Sequence, residues 1–211
     1  MVEQSPNTKQ KQIRVGVVGC GQFMSRQHIQ TIARSPRLKL QYLCARYEDE
    51  VLRIGDCYPA VSYSTRWEDV VADPDVDIVV VGVVPELHHP IAVAALENGK
   101  PVYVEKPLAQ TARQCREIAT LARQRNLPVA VGFNRRFAPA TDLLYKAFRD
   151  AGSPISVAYR ISDDDRVRPP AQNWKLECRL LIEVVHIFDL LVYLLDSEPV
   201  SIFATEARFN D

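Results

Sequence analysis

The feature that most constrains this chain is the stretch Ile13 to His28, reading IRVGVVGCGQFMSRQH. An apolar run, Ile13 to Val18, breaks into a glycine turn at Gly19-Cys20-Gly21 and passes into a helix-like segment, Gln22 to Ala33. Strand, tight turn and helix in that order match the start of a dinucleotide-binding unit. There the first glycine permits the turn, the second lets a pyrophosphate reach the backbone, and the third lets helix pack closely on strand. Here the third position is Met24, so the fingerprint is incomplete. Three of the eight glycines nevertheless fall in this one stretch (Gly16, Gly19, Gly21), which marks it as special.

Downstream segments decide what kind of sheet this turn belongs to. Leu38 to Ala45, a brief run near Val61 to Tyr63, Ile78 to Val84, Pro101 to Val104 and Pro128 to Phe133 read as further strands. The IVVVGVV run is β-branched throughout, as suits a strand buried on both faces of a parallel sheet. Helical segments fall between the strands: Glu48 to Ile54, Trp67 to Val71, His89 to Asn98 with Pro90 near its start and Gly99 past its end, and Thr111 to Arg125. Alternation of this kind specifies an α/β fold with a doubly wound parallel sheet. Its ligands bind at the carboxyl ends of the strands, which directs attention to Gly19 to Gly21, Ala45-Arg46, Val84-Pro85, Glu105-Lys106 and Asn134 to Arg136.

Beyond Phe137 the pattern changes to a helix, Ala140 to Ala151, an alternating strand, Ile155 to Ile161, a polar loop containing Asp163 to Asp165, a long helix, Leu180 to Leu195, and a last alternating strand, Val200 to Arg208. The expected organisation is a disordered tail over 1–12, a dinucleotide-binding domain over 13–136 and a partial α/β substrate domain over 137–211. Lys+Arg and Asp+Glu both total 26, so no net field favours nucleic acid or an anionic membrane, and the expected partner is a small molecule. The five cysteines are scattered without metal spacing and read as reduced, buried thiols. No apolar segment is long enough to span a bilayer and the first residues lack a signal-peptide core, so a cytoplasmic protein is expected.

Four stretches in order resemble the Gfo/Idh/MocA oxidoreductases, the glucose-fructose oxidoreductase and inositol dehydrogenase family: VGVVGCGQFMSRQH, VPELHHPIAVAALENGKPVYVEKPLA, VGFNRRFAP and RLLIEVVHIFDLL. The resemblance implies an N-terminal Rossmann domain that binds NAD or NADP, followed by an α/β domain with a large antiparallel sheet. Sugars, cyclitols and their derivatives are the substrates it implies. In that picture Glu105 lies beside the nicotinamide ribose, Lys106 reaches the substrate hydroxyl, Pro107 shapes the turn and His186 faces the substrate. The chain departs from the family pattern at Met24, at Glu86 in place of an asparagine, at Glu177-Cys178 in a usually glycine-rich approach, and at Ile182, where an aspartate is common and Glu183 is adjacent. The family's substrate domain normally continues past Asp211, so a truncated chain or a fragment is expected.

Hydride transfer at a C–OH carbon needs a base for the hydroxyl proton and a carbon held near the nicotinamide. Lysine titrates near ~10.4 unless burial or a neighbouring cation lowers it, and Lys106 is the expected base. His186, with Glu183 three residues earlier on one helix side, is the expected substrate-binding pair, and all three are the expected catalytic residues. The expected cofactor contacts are Gly19, Gly21, Gln22, Phe23, Arg46, Pro85, His89, Glu105 and Asn134. His89 is placed at a helix start beside the cofactor and His88 facing solvent. Ala45-Arg46 puts an arginine, and no carboxylate, at the end of the second strand, so NADP is expected in preference to NAD. No metal site is expected. Two other readings remain open: a nucleotide-binding remnant without turnover, and cofactor-dependent glycoside cleavage. A homo-oligomer is compatible with the sequence.

Overall fold

The computed structural model describes residues 11–58, 61–152, 154–161 and 183–205. The chain divides into two compact units, Met1–Gly132 and Phe133–Asp211. The loop of Asp163 to Asp165, Trp174, Glu177-Cys178, Ile182 and the first ten residues lie outside the described residues.

The first unit carries six parallel strands, β1 (Ile13–Val18), β2 (Leu38–Cys44), β3 (Ser62–Ser64), β4 (Ile78–Val81), β5 (Val102–Val104) and β6 (Val129–Val131), in the order β3-β2-β1-β4-β5-β6. That order reverses direction at β1 and β4, the switch point where a doubly wound sheet opens a crevice. Five helices connect the strands: α1 (Gln30–Arg34), α2 (Glu48–Gly55), α3 (Trp67–Ala72), α4 (Pro85–Glu97) and α5 (Ala112–Arg125). One apolar layer forms around Ile91, Leu96, Val102 and Ile118. A second, around Val17, Ile29, Leu43 and Val51, forms a separate layer of the core. Both layers exist because β1, β4 and β5 are apolar at successive positions, as burial on two faces demands.

Two helix starts differ from the sequence reading. The segment after the glycine turn starts as a π-helix, Met24–Ile29, before it becomes α1. Helix α4 begins at Pro85 and not at His89, because Pro85 occupies the first helical position, where a missing N–H costs nothing. Pro90 therefore lies inside α4, where it forgoes only one bond near the first turn. Helix α5 keeps its expected start: Thr111 and Gln114 form a reciprocal capping box, and Asn126 closes the helix in the left-handed region.

The amino rim of the sheet is closed by polar contacts. Arg14 on β1 donates from Nε to Asp77 Oδ2 (3.0 Å) and from a terminal nitrogen to Oδ1 (2.8 Å), and it also pairs with Asp75. Lys100 is buried with its Nζ donating to the carbonyls of Asp73 and Val76, both at 2.6 Å. Hydrogen bonds from Arg14 hold the Asp77 carboxyl down at about 2. A depressed carboxylate contributes stability above its unfolded value near ~3.9 and loses it as pH falls through the folded value. Asp77→Asn is therefore expected to remove part of the acid-unfolding slope below about pH 4 and to cost ~1 kcal/mol at neutral pH, after allowance for solvent screening. Urea titrations of both proteins at pH 7 and pH 3 check this.

In the second unit, a 3-10 turn (Asn134–Phe137), α6 (Pro139–Ala151) and α7 (Val185–Leu195) are described. The expected strands Ile155 to Ile161 and Val200 to Arg208 are not formed over their described residues. An alternating pattern makes a strand only where a neighbour supplies the other half of the ladder, and no described residue pairs with either segment. Val200, Ile202 and Phe203 are accordingly exposed.

Candidate functional site

The register of the sheet fixes which residues share the carboxyl rim. Ser64, Cys44, Val18, Val81, Val104 and Val131 are aligned partner to partner across all six strands. The residues that follow them, Thr65, Ala45, Gly19, Gly82, Glu105 and Gly132, form the next row. Hydrogen bonds extend several strand pairs into that row: Gly19 N to Cys44 O, Gly82 N to Val18 O, Glu105 N to Val81 O and Gly132 N to Val104 O, each 2.8 Å.

Each of the three glycines in the row gives way to a different neighbour. Gly19 has φ +106°, and a Cβ there would stand 2.1 Å from the carbonyl oxygen of Gly82. At Gly82 a Cβ would lie 2.0 Å from the Met24 sulfur. A Cβ at Gly132 would lie 2.7 Å from Glu105 Oε2. The second contact accounts for Met24 in the place of the third fingerprint glycine: its buried side chain lies over Gly82, so the small residue is supplied by β4's end and not by the helix. Gly21 differs again. It is exposed and nothing would meet a Cβ there, which leaves its backbone open to close approach.

A cleft of about 500 Å³ opens above this rim, lined by Gly19, Gly21, Arg46, Glu50, Trp67 and Val84 among others. Arg46 is exposed and its guanidinium sits over the Tyr47 ring, 5.2 Å from the centroid. Glu50 on α2, which sequence spacing did not single out, lines the same cleft. Pro85 is the first residue of α4 and is not among the residues lining the cleft, though its neighbour Val84 is. Phe23 is half exposed, and the exposed Gln22 amide lies beside the Arg26 guanidinium. Cys20 and Cys44 are buried at the rim, and burial pushes both thiols up to about 12, so neither is a nucleophile at neutral pH.

His88 does not face solvent as expected, and His89 lies inside α4 and not at its start. His88 is 1% exposed, with Nδ1 2.6 Å from the Pro107 carbonyl and Nε2 3.1 Å from that of Val83. His89 instead turns to α5, where Nε2 meets Glu117 Oε2 at 3.0 Å, and it is not among the residues lining the cleft. The earlier start of α4 places both residues within the helix. Glu86, the departure from asparagine, accepts a hydrogen bond from Gln110.

Glu105 is buried at the end of β5 and is gripped on both oxygens. His28 Nε2 donates to Oε1 at 2.8 Å, Tyr103 Oη donates to the same oxygen at 3.1 Å, and the Lys106 N–H donates to Oε2 at 3.3 Å. Burial alone would raise this carboxyl. The bonds from His28, Tyr103 and the Lys106 amide outweigh it and hold Glu105 below the usual carboxylate range. Lys106 follows directly, half-buried, and its peptide bond to Pro107 is cis. His28 is the rim residue that sequence reasoning left without a role; its one visible signal was being the sole histidine on the segment after the glycine turn.

In the second unit His186 is buried on α7 with its ring edge-on to Phe133, 6.0 Å between centroids. Arg136 forks onto Asp189, one turn further along α7, with Nε 2.8 Å from Oδ2, and its guanidinium stacks on Tyr193 at 5.3 Å. Glu183 is half-buried just before the start of α7, and Asn134 is exposed at the first position of the 3-10 turn.

Residues 13–133 match the family model described as an oxidoreductase family with an NAD-binding Rossmann fold. The chain belongs to the Gfo/Idh/MocA oxidoreductase family. An inositol 2-dehydrogenase of Corynebacterium glutamicum (strain R) is 32% identical over 91% of this chain and 57% of its own length. Among solved structures, GenD2 from gentamicin A biosynthesis in complex with NAD is 27% identical with a TM-score of 0.63, covering 71% of this chain and 42% of its own. KijD10, a 3-ketoreductase from Actinomadura kijaniata in complex with NADP, is 25% identical with a TM-score of 0.62, covering 66% and 44%. The chain spans about half the length of the curated relatives it matches. Among the described residues no helix is long and apolar enough to cross a membrane.

Proposed function

We propose that this chain binds a nicotinamide dinucleotide across the carboxyl rim and takes part in hydride transfer to or from a hydroxyl carbon of a sugar, cyclitol or related molecule. The observation that carries the reading is the row Gly19, Gly82 and Glu105: a bare backbone turn at the switch point, and a gripped carboxylate at the far end of the same rim. The residues fit the group. Gly19 and Gly21 offer backbone to a pyrophosphate beside a helix start, with Gln22 and Phe23 following, and Arg46 stands where the adenosine ribose of such a cofactor is read.

When bound, the nicotinamide supplies the hydride acceptor or donor. Lys106 then holds or releases the hydroxyl proton at Nζ, as base in oxidation and acid in reduction. Glu105 orients the ribose end. From the second unit the reading takes His186 and Glu183 as substrate-facing groups and Asn134 as a cofactor contact. Relatives named inositol 2-dehydrogenase, 1,5-anhydro-D-fructose reductase and 3-ketoreductase support a polyhydroxylated or keto substrate class.

Arg46 favours NADP, since its guanidinium can pair with a 2′-phosphate. Glu50 in the same cleft supports the second reading, NAD, because a carboxylate accepts from ribose hydroxyls. Calorimetric titration with NADPH and NADH separates the two. The expected result is tighter NADPH binding that weakens about ten-fold in Arg46→Ala, the loss of one charge-assisted pair. Equal or tighter NADH binding overturns the NADP assignment.

A further inference from the structure

His28 and Glu105 form a close pair at the β5 end of the carboxyl rim. The His28 Nε2 bonds Glu105 Oε1 at 2.8 Å, and Nε2 carries a hydrogen in both the neutral and the charged ring, so that bond survives protonation at Nδ1. The ring is three-quarters buried, tilted on Tyr103 at 5.3 Å and edge-on to Phe23 at 5.6 Å. At the β5 end Glu105 accepts from the His28 Nε2, Tyr103 packs against the His28 ring and bonds the same carboxylate, and the Lys106 backbone N–H donates to that carboxylate as well. From the end of β6 comes Gly132, which has no charge.

We propose that His28 is a positioning residue that sets, through Glu105, whether the rim prefers the oxidised or the reduced nicotinamide. With His28 neutral, the His28–Glu105 pair carries a net negative charge and favours the cationic oxidised ring. With His28 protonated the pair is net neutral, and that preference is lost. Tyr103 stays protonated throughout, since burial and Glu105 push its hydroxyl upward, and Glu105 stays ionised because its carboxyl is held low. Linkage then makes the ratio of the two cofactor affinities depend on pH, with oxidised cofactor losing ground as pH falls.

This inference rests on the dinucleotide reading above, and the test keeps the two apart. Dissociation constants of NADP+ and NADPH are measured between about pH 5.5 and 8.5 for the wild type and His28→Gln, whose amide N–H retains a donor to Glu105 without a charge. The wild-type ratio Kd(NADP+)/Kd(NADPH) is expected to rise on the order of five-fold toward the acid end, as one unit charge across a half-screened gap implies. His28→Gln, or His28→Asn if the first does not fold, is expected to stay flat at the wild type's alkaline ratio. A flat wild-type ratio, or the same slope in the variant, overturns the role of His28. Binding of neither NADP+ nor NADPH, nor of their NAD counterparts, at any pH overturns the dinucleotide reading as well.

Discussion

Gly19→Ala is expected to lose ~3–5 kcal/mol of folding stability, and with it measurable dinucleotide binding. Two independent penalties act at this position. The backbone sits at φ +106°, where an L side chain is strained, and the new methyl would stand 2.1 Å from the Gly82 carbonyl oxygen. That oxygen is backbone in the adjacent strand end, held by the Gly82 N–H bond to Val18, so it cannot step aside without opening the sheet at the switch point. A marginal fold of ~5–15 kcal/mol cannot absorb this without a large fall in melting temperature. Gly21→Ala is the informative control: nothing packs where its Cβ would stand, so the fold survives and only the approach of the pyrophosphate suffers. Thermal unfolding of both variants, read beside NADPH fluorescence titration, checks the pair.

Lys106→Met is expected to lower turnover by about 10²–10⁴ while dinucleotide affinity stays within a few-fold. The lysine follows the gripped Glu105 at the rim, and methionine preserves its apolar stem while removing the proton-carrying nitrogen. A lysine serving only as a surface charge predicts instead an unchanged rate. Steady-state assays with myo-inositol and with related keto sugars, following nicotinamide absorbance, distinguish the two, with binding measured separately.

Much of the first unit was legible in the sequence because its signals are local. Apolar runs bounded by glycine and proline gave all six strands, and parallel order follows once helices separate them. Gly19, Glu105 and Lys106 were therefore placed on one rim by spacing alone. What local pattern could not supply is what meets what. His28 and Glu105 are 77 residues apart, and only the register of β5 against the sheet brings them together. The packing of Met24 over Gly82 was hidden in the same way: each residue looked like a departure by itself, and the pair makes sense only in contact. The burial of His88 and the place of His89 inside α4 were missed because Pro85 and Pro90 are both acceptable early helix residues, and the helix starts at the first of them. In the second unit, alternation at Ile155 to Ile161 was read as a strand, but a pattern of period two records only a half-buried face and does not supply a partner. The pairing of Arg136 with Asp189 went unread for a related reason, since an ion pair across 53 residues leaves no trace in spacing.

The claim on which the account stands is that the dinucleotide lies along the carboxyl rim, from the glycine turn to Glu105. Amide hydrogen exchange of the whole chain with and without saturating NADPH tests this most directly. The account predicts added protection over Gly19 to Phe23, Gly82 to Val84 and Glu105-Lys106, with none at the amino rim around Asp73 to Asp77. Protection centred on that amino rim, or binding without protection of the glycine turn, would contradict it.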